Sequence, residues 1–168
     1  MTATVALDIE RARQLGMKML GDTTGGIIGV LTVIGDRLKL FDTLAADGPL
    51  TSDEFAERAG ITERYAREWL PAMACNAYVS YNNLSKTFSL TPEQEFCLVN
   101  QDSPLYLTSI FSVLPDYWGN LDILTGAFQR GGGVPQERFG EDWLCGFQRF
   151  SRTGFVNYLC QDWIPAMP

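Results

Sequence analysis

Residues 51–90 have the sequence TSDEFAERAGITERYAREWLPAMACNAYVSYNNLSKTFSL and contain the clearest local signals in the chain. Thr51 and Glu54 match a capping box, in which the side chain of each residue satisfies the backbone N–H of the other at a helix start. Gly60 is placed to end this short helix, because glycine accepts the left-handed conformation that follows many helices. A second helix is predicted over about residues 63–77, where apolar residues recur at helical spacing.

The second helix is followed by two short segments of strand type. Thr62 is a candidate cap for the helix, and Pro71 should kink or shorten it, because proline removes one backbone hydrogen bond. Residues 78–81 and 87–90 are rich in β-forming side chains, and the asparagines and serine between them favour a turn. Helix, turn, helix and hairpin is the order of a winged helix-turn-helix.

Two helices are predicted before this segment, over residues 8–20 and about 24–41, with a break at Gly21-Asp22-Thr23. The second helix is apolar nearly all round, so it must be buried on several sides. In a chain of 168 residues that pattern indicates a partner subunit. We therefore expect a homodimer through these two helices, with Ile28 and Leu31 in the interface.

Three glycines, Gly21, Gly25 and Gly29, stand four residues apart in this region. One interpretation is a close approach between helices, because glycine removes the side chain at the contact. The other is a turn at residues 21–26 with one tolerated glycine, because three helical glycines cost about 3 kcal/mol against alanine. The sequence leaves both open.

The rest of the chain is predicted to be helical. The boundaries are a second capping box at Thr91–Gln94, a helix start at Ser103–Pro104, a break at Pro115, a loop at Gly131–Pro135 and two last helices over about 141–149 and 152–164. The predicted fold class is therefore mainly α, a winged helix-turn-helix with one small β-hairpin and flanking helices. We divide it into N-terminal dimerisation helices (1–46), the winged helix-turn-helix (47–100) and a C-terminal helical segment (101–168).

Composition excludes several kinds of chemistry. The chain has no histidine, which removes the commonest general base and metal ligand, and its four cysteines form no C-x-x-C pair, so we expect neither a metal site nor catalytic residues. The formal net charge is −7, and residues 51–90 hold five acidic against four basic side chains, so DNA binding is not expected. The glycines at 131–133 follow a predicted helix instead of a strand, which argues against a phosphate loop.

The sequence also carries no secretory signal, because no apolar core follows a basic start. The longest uncharged stretch of the first half, Thr23–Gly35, is shorter than the roughly 20 residues that cross a bilayer. We therefore expect a cytoplasmic protein that does not enter a membrane. Its cysteines are expected to be reduced and to act as small buried apolar residues.

Aromatic residues crowd the last third of the chain. Their density has two interpretations: an apolar cavity for a flat organic ligand, or helical core and interface packing, since several of the rings share one helix face. If a cavity exists, its likeliest substrate-binding walls are Trp118, Phe139, Trp143, Phe147 and Tyr158.

The chain resembles the N-terminal region of bacterial class I S-adenosylmethionine (SAM) dependent methyltransferases that carry a winged-helix domain. The matching stretches are IGDRLKLFDTL (34–44), LTSDEFA (50–56), RYAREWL (64–70), FSLTPEQ (88–94), GGGVP (131–135) and DWIP (162–165). Pro71 departs from the family pattern, and Lys39 stands where glycine is usual. In that family the SAM-binding Rossmann domain begins soon after the position of the last stretch.

The resemblance implies a dimerising cap that binds the acceptor substrate, an aromatic or polyketide-like small molecule. It implies SAM only for a full-length family member, so we expect residues 1–168 to hold no cofactor and to be incompetent for methyl transfer alone. Two alternatives stay open: a small-molecule-binding protein or regulator derived from this domain, and a cofactor-independent enzyme that reuses the aromatic pocket.

Overall fold

The computed structural model describes residues 6–167, and these residues form eight α-helices and one small sheet, which confirms the predicted mainly α fold class with a winged helix-turn-helix. The helices are α1 (Ile9–Arg37), α2 (Leu40–Asp47), α3 (Ser52–Ala59), α4 (Glu63–Cys75), α5 (Pro92–Leu98), α6 (Leu114–Gly119), α7 (Leu121–Arg130) and α8 (Glu141–Tyr158), and the strands are β1 (Ser80–Asn82) and β2 (Thr87–Ser89). Short 3-10 segments cover Thr108–Val113 and Gln136–Arg138, and a π-helical turn covers Leu159–Trp163.

The core lies between α2, α3, α4 and the hairpin. The Trp69 ring packs between Phe41 and Phe55, with centroids 5.2 Å and 5.9 Å away, and its indole N–H donates to the Leu31 carbonyl at 2.9 Å. The strands pair antiparallel with Tyr81 opposite Phe88, and β2 also bridges Leu50. These contacts build the winged helix-turn-helix and anchor it to α1.

The local start and stop signals are confirmed at three places. Capping boxes form at Thr51 with Glu54 and at Thr91 with Gln94, and Gly60 takes a left-handed φ of 66°. The backbone and hydroxyl of Thr51 lower the pKa of the Glu54 carboxyl by donating to its ionised form.

The predicted break at Gly21-Asp22-Thr23 is wrong, because α1 runs through it without interruption for 29 residues. The Thr23 hydroxyl is satisfied within the helix, because it donates to the Met19 carbonyl at 2.9 Å. The i,i+4 pair of Lys18 with Asp22, at 2.5 Å, supports the helix at a residue that was expected to end it. Thr24 makes the same kind of bond one residue later.

The glycines of α1 divide into two groups. A Cβ at Gly29 would lie 2.7 Å from Leu114 Cδ1, so this glycine allows a close approach within the chain. Gly21 and Gly25 meet nothing within 4 Å. The close-approach interpretation therefore holds for Gly29, and the turn interpretation holds for none of them. After α1, Lys39 takes a left-handed φ of 57°, which explains why glycine suits this position.

Three further expectations are corrected by the structure, and the predicted helix around Pro71 is confirmed with an end two residues earlier. Ser103 caps a turn, because its Oγ accepts from the Leu105 N–H, and regular helix begins only near Leu114, where Pro115 occupies the first turn of α6. α4 continues through Pro71 to Cys75. The two last predicted helices are one, α8, which ends at Tyr158. The cysteines are free but not buried: Cys75, Cys145 and Cys160 are exposed, and Cys97 is half-buried.

Candidate functional site

Three of the five predicted wall residues lie together at the start of α8. The Trp143 ring stacks on Phe147 with centroids 5.5 Å apart and an interplanar angle of 3°, and Phe139 lies 5.0 Å from Trp143 on its other side. Tyr117 of α6 meets Phe139 edge-on at 6.2 Å. We call Tyr117, Phe139, Trp143 and Phe147 the aromatic row.

The other two predicted wall residues lie elsewhere. Trp118 is 58% exposed and faces α1 at Gly26, and Tyr158 stacks on Trp163 at the far end of α8. The structure thus divides the predicted walls between three places.

Within the aromatic row, the indole N–H of Trp143 is buried and has no hydrogen-bond partner among the described residues. The hydroxyl of Ser109, in the 3-10 segment packed against α8, is in the same condition. Each unpaired buried group costs about 1–3 kcal/mol. A ligand oxygen or a reorientation of these side chains would remove that cost.

An ion pair fixes α8 to the end of α1. The guanidinium of Arg149 donates to both carboxylate oxygens of Asp36, which is 8% exposed, and also to the Tyr106 hydroxyl at 3.3 Å. Burial raises the pKa of Tyr106 to about 12, the Asp36 carboxylate adds to that rise, and Arg149 opposes it. The next residue of α1, Arg37, pairs with Asp142 near the start of α8 at 2.6 Å.

Sequence reasoning missed this ion pair, although it left a signal. Asp36 ends an apolar run on a helix predicted to be buried, and a buried carboxylate requires a partner. Which cation that partner is could not be read from the sequence, because Arg149 lies 113 residues away.

An apolar groove lies between α1 and the helix-turn-helix. This groove has a volume of about 550 Å³ and is lined by Leu31, Ile34, Leu38, Leu40, Ile61, Thr62, Tyr65, Glu68 and Trp69. Its size is in the range of ligand pockets and of helix-binding grooves. Thr62 and Glu68 are the polar groups of the lining, and neither was predicted as part of a site.

Exposed apolar side chains also run along α1 beyond this groove. Met17, Leu20, Ile27 and Val30 are between 49% and 64% exposed. By length and composition alone, α1 would be able to cross a membrane, a criterion that core helices of soluble proteins and signal sequences also meet. The expectation that no helix is long enough to span a bilayer was therefore based on too short a stretch.

The exposed side of α4, which reads bases in DNA-binding relatives of this fold, carries mixed charge. Arg67 pairs with Glu63 at 3.5 Å, and Glu68 lies one residue further on. Phosphate binding needs a basic surface, which this face does not form.

Comparison with known proteins places this fold. Residues 26–100 match the model of the Rv2258c-like winged HTH domain. The solved structure "PigF with SAH" matches with a TM-score of 0.66 at 18% identity, over 90% of this chain and 48% of that one. The chain thus spans about half the length of that structure and fits an N-terminal winged-helix region. No curated protein matches the sequence.

Proposed function

We propose that residues 1–168 form the dimerisation and acceptor-binding cap of a SAM-dependent methyltransferase. The observation that carries this proposal is the likeness to the PigF structure, which was solved with SAH and which the fold follows along 90% of this chain. SAH is the product that remains when SAM has given up its methyl group. The PigF structure therefore contains the product of a methyl-transfer reaction. Residues 1–168 would contribute the partner contacts and part of the acceptor site.

The described residues do not fit SAM itself. Nucleosides of this kind bind at the carboxyl ends of parallel strands, beside a glycine-rich turn into a helix. The described part of the chain has one two-stranded antiparallel sheet, and the glycines at 131–133 follow α7 and precede Pro135. We therefore derive no step of methyl transfer from these residues.

The aromatic row is the best support for an acceptor site. Its rings offer flat apolar surface, and the unpaired indole N–H of Trp143 offers a donor to a ligand oxygen. These features suit a flat aromatic or polyketide-like molecule with a carbonyl or hydroxyl group. Trp118 and Tyr158 would join the site only if the ligand or further residues extended it.

Two titrations of residues 1–168, one calorimetric and one fluorimetric, test the acceptor-binding part of the proposal. Titration with SAM should give no saturable binding, and micromolar binding would overturn the cap assignment. Hydroxylated naphthoquinones and anthraquinones, titrated while tryptophan fluorescence is followed, should bind saturably. Trp143→Leu should weaken that binding at least about tenfold, a loss of about 1.4 kcal/mol.

Phe128→Ala is the matched control, because Phe128 is 93% exposed on α7 and belongs to no aromatic pair. It should leave quinone binding unchanged. Absence of binding by every quinone, or an equal effect of both substitutions, would leave the aromatic row as packing only.

The dimer is the second part of the proposed role. α1 leaves many of its apolar residues uncovered within the protomer, among them Met17, Leu20 and Ile27, and an exposed apolar surface of this extent is typical of an interface. The prediction that Ile28 lies in the dimer interface needs revision. This side chain is only 7% exposed and belongs to the protomer's own packing. Sedimentation of the wild type should show a dimer, and a monomer at high concentration would contradict it.

A further inference from the structure

α1 carries a coiled-coil spacing along one side. Eight positions alternate intervals of four and three residues, the a/d pattern of two helices that pack side by side. We call them the seam: Arg13, Met17, Leu20, Thr24, Ile27, Leu31, Ile34 and Leu38. Seven of the eight are exposed, and Leu31 is half-buried.

The opposite side of α1 has no continuous apolar row. In the first half of the helix it carries the charges of Arg11, Lys18 and Asp22, the last two paired to each other, around the exposed Leu15 and Met19. In the second half it packs on the chain itself, where Gly29 meets Leu114 and Phe111 and Asp36 binds Arg149. The seam is therefore the side of α1 that remains without a partner.

The two ends of the seam differ in shape. Leu31, Ile34 and Leu38 line one wall of the groove, whose other walls come from Ile61, Tyr65 and Trp69. Met17 and Leu20 project from the first half of α1, around which Gly16 and Gly21 have no neighbour within 4 Å. One end of the helix is thus a ridge and the other end is half of a groove.

We propose that α1 pairs antiparallel with α1 of a second copy of this chain, and that each ridge fills the partner's groove. A two-fold axis between Thr24 and Ile27 places Leu20 against the partner's Leu31 and Met17 against the partner's Ile34. It also places Arg13 at the partner's Leu38, where its guanidinium reaches the partner's Glu68. The inference rests on the proposed dimer and adds its direction, register and contacts.

Charge and symmetry favour this arrangement over a parallel one. Glu68 lines the groove and makes no ion pair among the described residues, while Arg13 meets only Glu10, at 3.4 Å. An antiparallel two-fold joins opposite charges at both ends of the seam. A parallel pair in register would place Arg13 against Arg13 and leave both grooves without a ridge.

A second copy also suits the helix better than lipid does. A bilayer would surround α1 on every side, including the side that carries Arg11, Lys18 and Asp22. A partner helix covers the apolar seam alone and leaves these charges in water.

Disulfide trapping tests the register. In a chain whose four cysteines are replaced by serine, the double variant Leu20→Cys with Leu31→Cys should form a covalent dimer under mild oxidation. Each single variant is the control, because the antiparallel register keeps like positions apart. A covalent dimer from Leu20→Cys alone would show parallel pairing and overturn the inference.

Charge reversal tests the ends of the seam. Arg13→Glu or Glu68→Arg alone should weaken the dimer about fivefold or more, and the two together should restore it. Arg11→Glu, on the polar side, should have no such effect. A double variant that dimerises no better than either single one would overturn the Arg13–Glu68 contact.

The two proposals fail differently in sedimentation. If the wild type sediments as a dimer but the Leu20→Cys, Leu31→Cys variant forms no covalent dimer, the register is overturned and the proposed dimer stands. A wild-type monomer would overturn both. Flotation of the wild type with phosphatidylcholine–phosphatidylglycerol vesicles would overturn the choice of a second copy, since we expect the protein to stay in the aqueous fraction.

Discussion

At the scale of single residues, Asp36 has the largest expected effect on stability. Asp36→Ala should lower the free energy of unfolding by about 3 kcal/mol, because it leaves the Arg149 guanidinium, 28% exposed, without its carboxylate. Asp102→Ala is the control: Asp102 pairs with Arg152, but both side chains are more than half exposed, and the loss should stay below about 1 kcal/mol. Urea unfolding measures both, and equal losses would contradict a buried role for Asp36.

Tyr106 should make the protein sensitive to alkali. Burial raises its pKa from 10.0 to about 12, so the neutral phenol stabilises the fold below pH 10 and this contribution is lost as the pH rises from 10 to 12. The loss should reach about 2 kcal/mol. Urea unfolding of the wild type and of Tyr106→Phe, compared between pH 9 and pH 11.5, should show the steeper decline in the wild type. Parallel declines would show that Tyr106 titrates normally.

At the scale of elements, the two threonine caps of the helix-turn-helix make a matched pair. The Thr51 side chain accepts from the Glu54 N–H at the start of α3, whereas Thr62 makes no side-chain cap bond at the start of α4. Thr51→Ala should therefore cost about 1 kcal/mol of stability and Thr62→Ala close to nothing. Thermal unfolding at neutral pH compares them, and an equal cost would show that Thr62 caps α4 in solution.

The distance along the chain between interacting residues explains which elements the sequence could predict. Capping boxes, the Gly60 stop and the hairpin turn depend on residues within four positions of each other, and all of them were predicted correctly. α1 was divided wrongly because glycine and aspartate favour turns by themselves, while in the structure Asp22 pairs with Lys18 on the helix and the threonine hydroxyls find partners within it. α8 was also divided wrongly. Its Arg149 and Arg152 are bound by Asp36 and Asp102, and the sequence could not show these contacts because the partners lie far away in the chain.

For the candidate site, sequence alone singled out aromatic side chains but did not predict their arrangement. The rings of Phe139, Trp143 and Phe147 share one end of α8, so helical spacing and a short loop bring them together. Trp118 and Tyr158 depend on how α6 and the end of α8 pack, which spacing does not encode. The groove was missed because α1 and the turn before α4 form it jointly.

At the scale of the whole molecule, the ion pairs at Asp36 and Arg37 predict that the helix-turn-helix and α8 open together. Native-state hydrogen exchange should give amides of α4 near Met73 and of α8 near Gly146 the same opening free energy, because α1 joins both elements. A large difference between them would show that the C-terminal segment unfolds by itself.

The first half of α1 should behave differently in the same experiment. Residues 9–20 are all exposed, and an isolated helix of this length is marginal in water. In a monomer their amides should be at least about 100-fold less protected than those of α4. Protection should rise with protein concentration as the seam pairs, and Ile34→Glu should abolish that rise while leaving α4 unchanged, because Ile34 lines the groove from an exposed position. Protection of residues 9–20 as high as that of α4 at every concentration in this variant would mean that the helix is stable without a partner.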